Sequence, residues 1–208
     1  MNRIIRSVGL CIACVGVLNV LGCGTSQPSH FYLLRAMSPA SDAGLSETKA
    51  SSRSLGLGPV TLPKYLDRPQ IVTKAGAHEV ELAEFHKWAE PLQENVADVL
   101  QENLSILLST DRIVQYPWKQ SNPFDYQLSL EVLQFDGIKS QEAVLKVRWM
   151  LTGEDGAKVI HQKTSQFSEI LRGPDYEDLV EAMSRMLDSL SKEIANVIMA
   201  GSTTKSMK

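Results

Sequence analysis

Apolar residues recur along the chain in three rhythms, and each rhythm predicts a different element. Trp88, Leu92, Val96, Val99, Leu100, Leu104, Leu107 and Leu108 fall three and four apart, while Glu94, Asp98, Gln101 and Glu102 fall off that face. Such a stripe predicts a helix from about Glu90 to Ser109. Pro91 suits its first position, where a missing N–H costs nothing. A second stripe, Leu179, Met183, Met186, Leu187, Leu190, Ile194, Val197 and Ile198, predicts a helix from about Asp175 to Ala200. Asp175, Glu177 and Asp178 give it an acidic start that suits the helix dipole.

The second rhythm is alternation. Tyr126, Leu128, Leu130 and Val132 alternate with polar residues, as do Ala143, Leu145, Val147, Trp149 and Leu151. Val159 to Ile170 is more polar, with Val159 and Phe167 in phase. With turns read at Asp136-Gly137 and Glu154-Asp155-Gly156, these segments predict an antiparallel meander. One face would rest on the core and the other on water or a partner. Upstream, Phe31 to Leu34 and Leu55 to Leu62 read as strands, and Gly56 and Gly58 mark a bulge or close backbone approach. Gln70 to Lys74 and His78 to Leu82 read as a hairpin turning at Ala75-Gly76-Ala77. Two helices that each need one buried side are most simply accommodated on a sheet. The expected architecture is therefore α/β: a single compact domain with a mixed, mostly antiparallel sheet and two long helices packed on it.

The third rhythm is a nearly continuous run. Ser7 to Leu21 is almost entirely apolar or small, broken by Asn19; Arg3 and Arg6 precede it, and Val20-Leu21-Gly22-Cys23 ends it. A transmembrane helix needs about 20 apolar residues, and the run from 7 to 21 holds 15. The arrangement resembles a bacterial lipobox, which implies removal of residues 1–22 and lipidation of Cys23 with palmitate-type acyl chains. An ordinary cleaved secretion signal shares the same basic and apolar regions and is the alternative, although its A-x-A-like site is missing from residues 18–30. Residues 23–30 are then the lipidated cysteine and a short polar tether, 31–200 the domain, and 201–208 a disordered tail. Residues 36–53, rich in Ser and Ala, read as a flexible loop. The alternative is that this loop is the tether and the domain begins near Leu55.

Removing residues 1–22 leaves 208 − 22 = 186 residues and takes away two arginines, moving formal charge from −3 to −5. That balance argues against nucleic acid as a partner, which wants a basic patch, and against docking on anionic lipid. Of the three cysteines, Cys11 and Cys14 leave with the signal, so no disulfide framework is possible.

Catalytic signatures are lacking. The chain has no P-loop, dinucleotide fingerprint, G-x-S-x-G elbow or H-E-x-x-H. His30, His78, His86 and His161 are scattered and read as surface or edge residues. Glu79, Glu81 and Glu84 read as a solvated strand face, and Asp67-Arg68 as a local ion pair in a turn. The expectation is no enzyme, no cofactor and no metal.

The block Leu57 to Val72, containing Pro63-Lys64-Tyr65-Leu66-Asp67-Arg68-Pro69-Gln70, is followed by Trp88-Ala89-Glu90-Pro91-Leu92 and Glu102-Asn103-Leu104. These words resemble the ABC-type transport auxiliary lipoprotein family, the PqiC-like proteins. The lipobox and Phe31-Tyr32-Leu33-Leu34 fit its N-terminus. The resemblance implies a non-catalytic lipoprotein of the outer membrane, facing the periplasm, that partners an MCE-domain protein of an ABC-type lipid transporter. Gly24 after Cys23, in place of an inner-membrane retention Asp, agrees with the outer membrane.

Two surfaces are expected to carry function. Tyr65, Leu66, Asp67 and Arg68 with Trp88, Glu90 and Pro91 form a candidate partner interface, since Tyr, Trp and Arg are enriched at hot spots. Phe135, Trp149 and Phe167, on strand faces read as exposed, are candidates for self-association into a ring. The alternative function is a periplasmic lipid-binding module whose apolar cavity is lined by Met183, Met186 and Met199.

Overall fold

The alternation in the meander sets the layers. In the computed structural model, which describes residues 27–38, 53–118, 124–153, 156 and 158–205, strands β6 (Tyr126–Ile138) and β7 (Glu142–Thr152) pair antiparallel. Leu128 faces Leu151, Leu130 faces Trp149 and Val132 faces Val147, all buried. The register then shifts between Val132 and Gln134, so that Phe135 faces Leu145. One extra residue, Leu133, brings Phe135 back to the core face, which is what a β-bulge does.

The full order is β1 (His30–Tyr32), β2 (Leu55–Thr61), β3 (Gln70–Lys74), β4 (Val80–Trp88), α1 (Leu92–Leu108), β5 (Ile113–Gln115), β6, β7, β8 (Val159–Ile170) and α2 (Tyr176–Lys205). The protein is a single mixed α/β domain, and its strands divide into two sheets, β5-β2-β6-β7-β8 and β1-β4-β3. Some expected boundaries move. The hairpin strand starting near His78 runs from Val80 to Trp88, so Trp88 ends a strand and does not begin the helix. Pro91 is the N-cap, with helix from Leu92. α2 passes Ala200 and ends at Lys205, inside the tail read as disordered.

Asp136-Gly137 is not a turn. Both residues lie within β6, and the chain reverses at Lys139 to Gln141. A Cβ on Gly137 would meet the Glu142 carbonyl oxygen at 2.7 Å, so glycine serves close strand approach there. Asp136 is fully buried because β3 packs over this half of β6. It accepts hydrogen bonds from Tyr65 at 2.7 Å and Gln134 at 2.8 Å, and Lys74 lies 3.7 Å away. A buried charge survives only when paired and bonded in this way. Glycine at position 58 is needed for two reasons: its φ is +123°, and a Cβ would sit 2.7 Å from that of Tyr116.

The helices cover the inner face of the five-stranded sheet. Val96, Leu100 and Leu104 of α1 and Met183, Met186, Leu190 and Ile194 of α2 are buried there. Between the helices lies a polar seam. Asn103 is fully buried, and its Nδ2 donates to Asp188 at 3.0 Å and Ser191 at 3.3 Å. Its Oδ1 accepts the Met37 amide at 2.8 Å. Eight residues earlier, Asn95 Oδ1 accepts the Leu34 amide at 2.7 Å, and Ser184 Oγ accepts that of Arg35 at 3.1 Å. The segment after β1 is therefore pinned to both helices by three amides.

Two stability predictions come from this seam. Asn103→Leu leaves the Met37 amide and Asp188 without this partner, and chemical denaturation should show a loss of about 1–3 kcal/mol with an unchanged m-value. Asp188 is held above the ordinary carboxylate value, chiefly by burial, against the opposing Asn103 hydrogen bond. The folded protein thus binds this proton more tightly than the unfolded chain, and stability on this account falls as pH rises from 3.8 through the raised value. Asp188→Asn, which keeps an acceptor for Asn103, should raise the urea midpoint at pH 7. The two proteins should converge below pH 3.8.

Candidate functional site

The turn after β2 and the end of β4 meet, as the partner-interface reading requires. Within the turn Leu66 N donates to the Pro63 carbonyl and Arg68 N to that of Leu66, each at 2.9 Å. Trp88 N then donates to the Pro69 carbonyl at 2.7 Å, which joins the two words of the sequence motif. On its other side Trp88 is paired with Tyr32 of β1, and Ala89 N donates to the Tyr32 carbonyl at 2.9 Å. Trp88 is consequently the place where the motif and the N-terminal strand are joined.

The candidate residues divide by burial. Leu66 and Trp88 are core, and Tyr65 is half-buried with its hydroxyl on Asp136. Burial first, then the Asp136 carboxylate, raise the Tyr65 phenol above its ordinary value, so it remains a donor. Asp67 and Pro91 are exposed, and Arg68 and Glu90 are half-buried. Arg68 Nε is buried with no hydrogen-bond partner among the described residues. What this patch offers outward is thus Asp67, Arg68, Glu90 and Pro91.

The expectation for the meander needs correction. Phe135 and Trp149 are each only 1% exposed and lie in the core on the helix side of the sheet, so neither can meet a neighbouring subunit. Trp149 Nε1 donates to Ser165 Oγ at 3.1 Å, and Ser165 is hydrogen-bonded to Glu193 of α2. Phe167 is half-buried and packs against the same core. β8 has one face on the core and one outside, as expected of the meander's strands. Residues 161, 163, 165 and 169 of β8 contact Trp149 or α2, while Ile160, Gln162, Thr164, Gln166, Ser168 and Ile170 are exposed. β8 is the last strand of its sheet.

The histidines are less scattered than the sequence suggests. His86 stacks between His30, at 5.1 Å, and Tyr176 at the start of α2, at 4.1 Å. Its Nδ1 is hydrogen-bonded to the Tyr32 hydroxyl at 2.7 Å. Lys139 Nζ lies 4.9 Å from the Tyr176 ring centre and 3.0 Å from Glu81. Burial, then the charges of His30 and Lys139, hold His86 below the usual histidine value. The stack ties β1, β4, α2 and the β6–β7 turn together. No sequence spacing links positions 30, 86 and 176, so only tertiary packing could find it. Among the described residues no group of three or more His, Cys, Asp or Glu is placed to hold a metal ion. Glu79 and Glu84 are exposed beside the paired Glu81. Met183 and Met186 are core, and Met199 is exposed. Cys23 lies outside the described residues, as does most of the 36–53 loop.

No curated protein matches this sequence. Among solved structures, a crystal structure of an uncharacterized protein matches with TM-score 0.67 at 21% identity, over 83% of this chain and 99% of the other. A Xanthomonas campestris protein of the DUF330 family matches with TM-score 0.70 at 14% identity, over 86% of this chain and all of the other, 100%. At such identities the likeness speaks for the fold alone. Residues 32–195 match the ABC-type transport auxiliary lipoprotein component family. Because that match runs from the end of β1 to the last turns of α2 and takes in both words of the motif, the chain belongs to the family of ABC-type transport auxiliary lipoprotein components.

Proposed function

We propose that the protein is a non-catalytic envelope lipoprotein that serves as the membrane-anchored adaptor subunit of an MCE/ABC-type intermembrane lipid transport system. The observation that carries this reading is the way the N-terminal segment is built into the domain. Tyr32 pairs with Trp88, and the amides of Leu34, Arg35 and Met37 are bonded to Asn95, Ser184 and Asn103. A lipid on Cys23 would thus hold the domain close to its membrane, because the chain from Cys23 to His30 spans at most about 25 Å. A domain held so closely is suited to receiving a partner and poorly suited to shuttling cargo. Gly24 favours the outer membrane, with the domain facing the periplasm.

The partner in this reading is an MCE-domain protein, met at the outward patch of Asp67, Arg68, Glu90 and Pro91. Arg68 is its centre, as the one cation of the patch, half-buried and in no salt bridge among the described residues. Tyr65 supports the patch from below through Asp136. Self-association into a ring would use the exposed side and edge of β8, with no contribution from Phe135 or Trp149.

Arg68→Glu is expected to leave the unfolding midpoint near that of the parent. It should weaken capture of the MCE partner about tenfold or more, the scale of a hot-spot loss; undiminished capture would remove this patch from the interface. Tyr65→Phe should instead cost about 1–3 kcal/mol of stability, since Asp136 stays buried with one partner fewer. Cys23→Ser should abolish acylation, seen as loss of the lipid mass from the mature protein, and release the domain from membranes.

A further inference from the structure

The end of the domain nearest the anchor carries exposed aliphatic side chains from two elements. β1 runs parallel to β4, with His30 beside His86. The backbone therefore enters β1 at His30 from the side of the β3–β4 turn. Val80 stands six strand positions before His86, about 20 Å at the usual rise, and the seven residues from Cys23 to His30 can span that length. Val80 is 47% exposed and Leu82 45%. Glu81 between them pairs with Lys139 at 3.0 Å, which places the β6–β7 turn at the same end. Glu142, at the far side of that turn, is paired with Ile170, and Ile170 is 81% exposed.

We infer that Val80, Leu82 and Ile170 form the membrane-facing end of the domain and enter the interface of a zwitterionic phospholipid bilayer. The inference rests on the lipidation of Cys23. Single exposed aliphatics are ordinary on protein surfaces. Here they gather at the end from which the anchor leaves, and an anchor gains from a second apolar contact beside its acyl chains. The surrounding charge selects the lipid. Glu84 lies on β4, Glu142 on β7 and Glu79 in the β3–β4 turn, while Lys74, Lys139 and Arg172 already sit against Asp136, Glu81 and Glu181. An anionic surface would be repelled. The strands then stand upright on the membrane, and the start of β8 and the end of α2 point away from it.

The test uses the acylated full chain on phosphatidylcholine vesicles, with a nitroxide label on Val80→Cys, Leu82→Cys or Ile170→Cys. Matching labels on Val159→Cys and Met199→Cys report the opposite end. Vesicle binding should reduce collision with a water-soluble nickel complex severalfold at the first three positions and raise collision with oxygen, leaving the other two unchanged. Adding anionic phosphatidylglycerol should lessen both effects. If the protein floats with the vesicles while all five labels stay equally open to nickel, the membrane-facing end is wrong and the anchor stands. If the wild-type protein does not float, the lipidation reading fails and takes this inference with it. Shielding at Val80, Leu82 and Ile170 before vesicles are added would mean that another protein copy covers them, which also overturns it.

Discussion

A buried backbone amide must find a partner, and in the stretch after β1 that of Leu34 is buried and finds one on a helix side chain. The two helices supply side chains to the stretch as a whole. Asn95 and Asn103 stand eight residues apart on α1, on a helix whose neighbouring buried positions are all apolar. They take up the amides of Leu34 and Met37, and Ser184 of α2 takes that of Arg35. Asn103 then spends its donors on Asp188 and Ser191. The same side chains therefore lock α1 to α2 and the N-terminal segment to both.

A second constraint lies in β6. Its first half has one buried face, and its second half has two, because the β1-β4-β3 sheet covers the side opposite the helices. The bulge at Leu133 keeps Phe135 in the core after the change. Asp136 then points into the layer between the sheets and needs Tyr65, Gln134 and Lys74 around it. This explains why the motif around Tyr65 mixes buried and exposed residues. Tyr65 and Leu66 hold the turn on the domain, and Trp88 holds the turn to β1. Asp67 and Pro91 are exposed, and Arg68 is half-buried.

The elements were legible in the sequence because each rests on local geometry. A 3.6-residue period identifies a helix and a two-residue period a strand wherever the chain folds. Hence both helices, the hairpin and the meander stand close to where their patterns place them, and Gly58 marks a close approach as read. The proximity of the Tyr65 turn to Trp88 was also legible, from the motif. β5 was not legible: three residues, Ile113 to Gln115, are too few to show a period.

Tertiary structure alone decided what covers each face. Periodicity shows that one side of a strand is apolar. It cannot show whether the other side meets water, a helix or a second sheet. Phe135 falls out of phase with Val132 in the sequence and is returned to the core face by the bulge at Leu133, whereas Trp149 shares the phase of Val147 and Leu151 and is core as that phase implies; Asp136-Gly137 read as a turn although the buried aspartate is made possible by a sheet from elsewhere in the chain. The His30–His86–Tyr176 stack belongs to the same class, since its members are brought together by packing between β1, β4 and α2. The sequence determined the elements, the lipobox-like N-terminus and the family motif, which depend on neighbouring residues. The division into two sheets, the pinned segment after β1 and the split of the motif into buried and exposed residues depend on contacts between residues more than fifty positions apart, and only the folded chain specifies them.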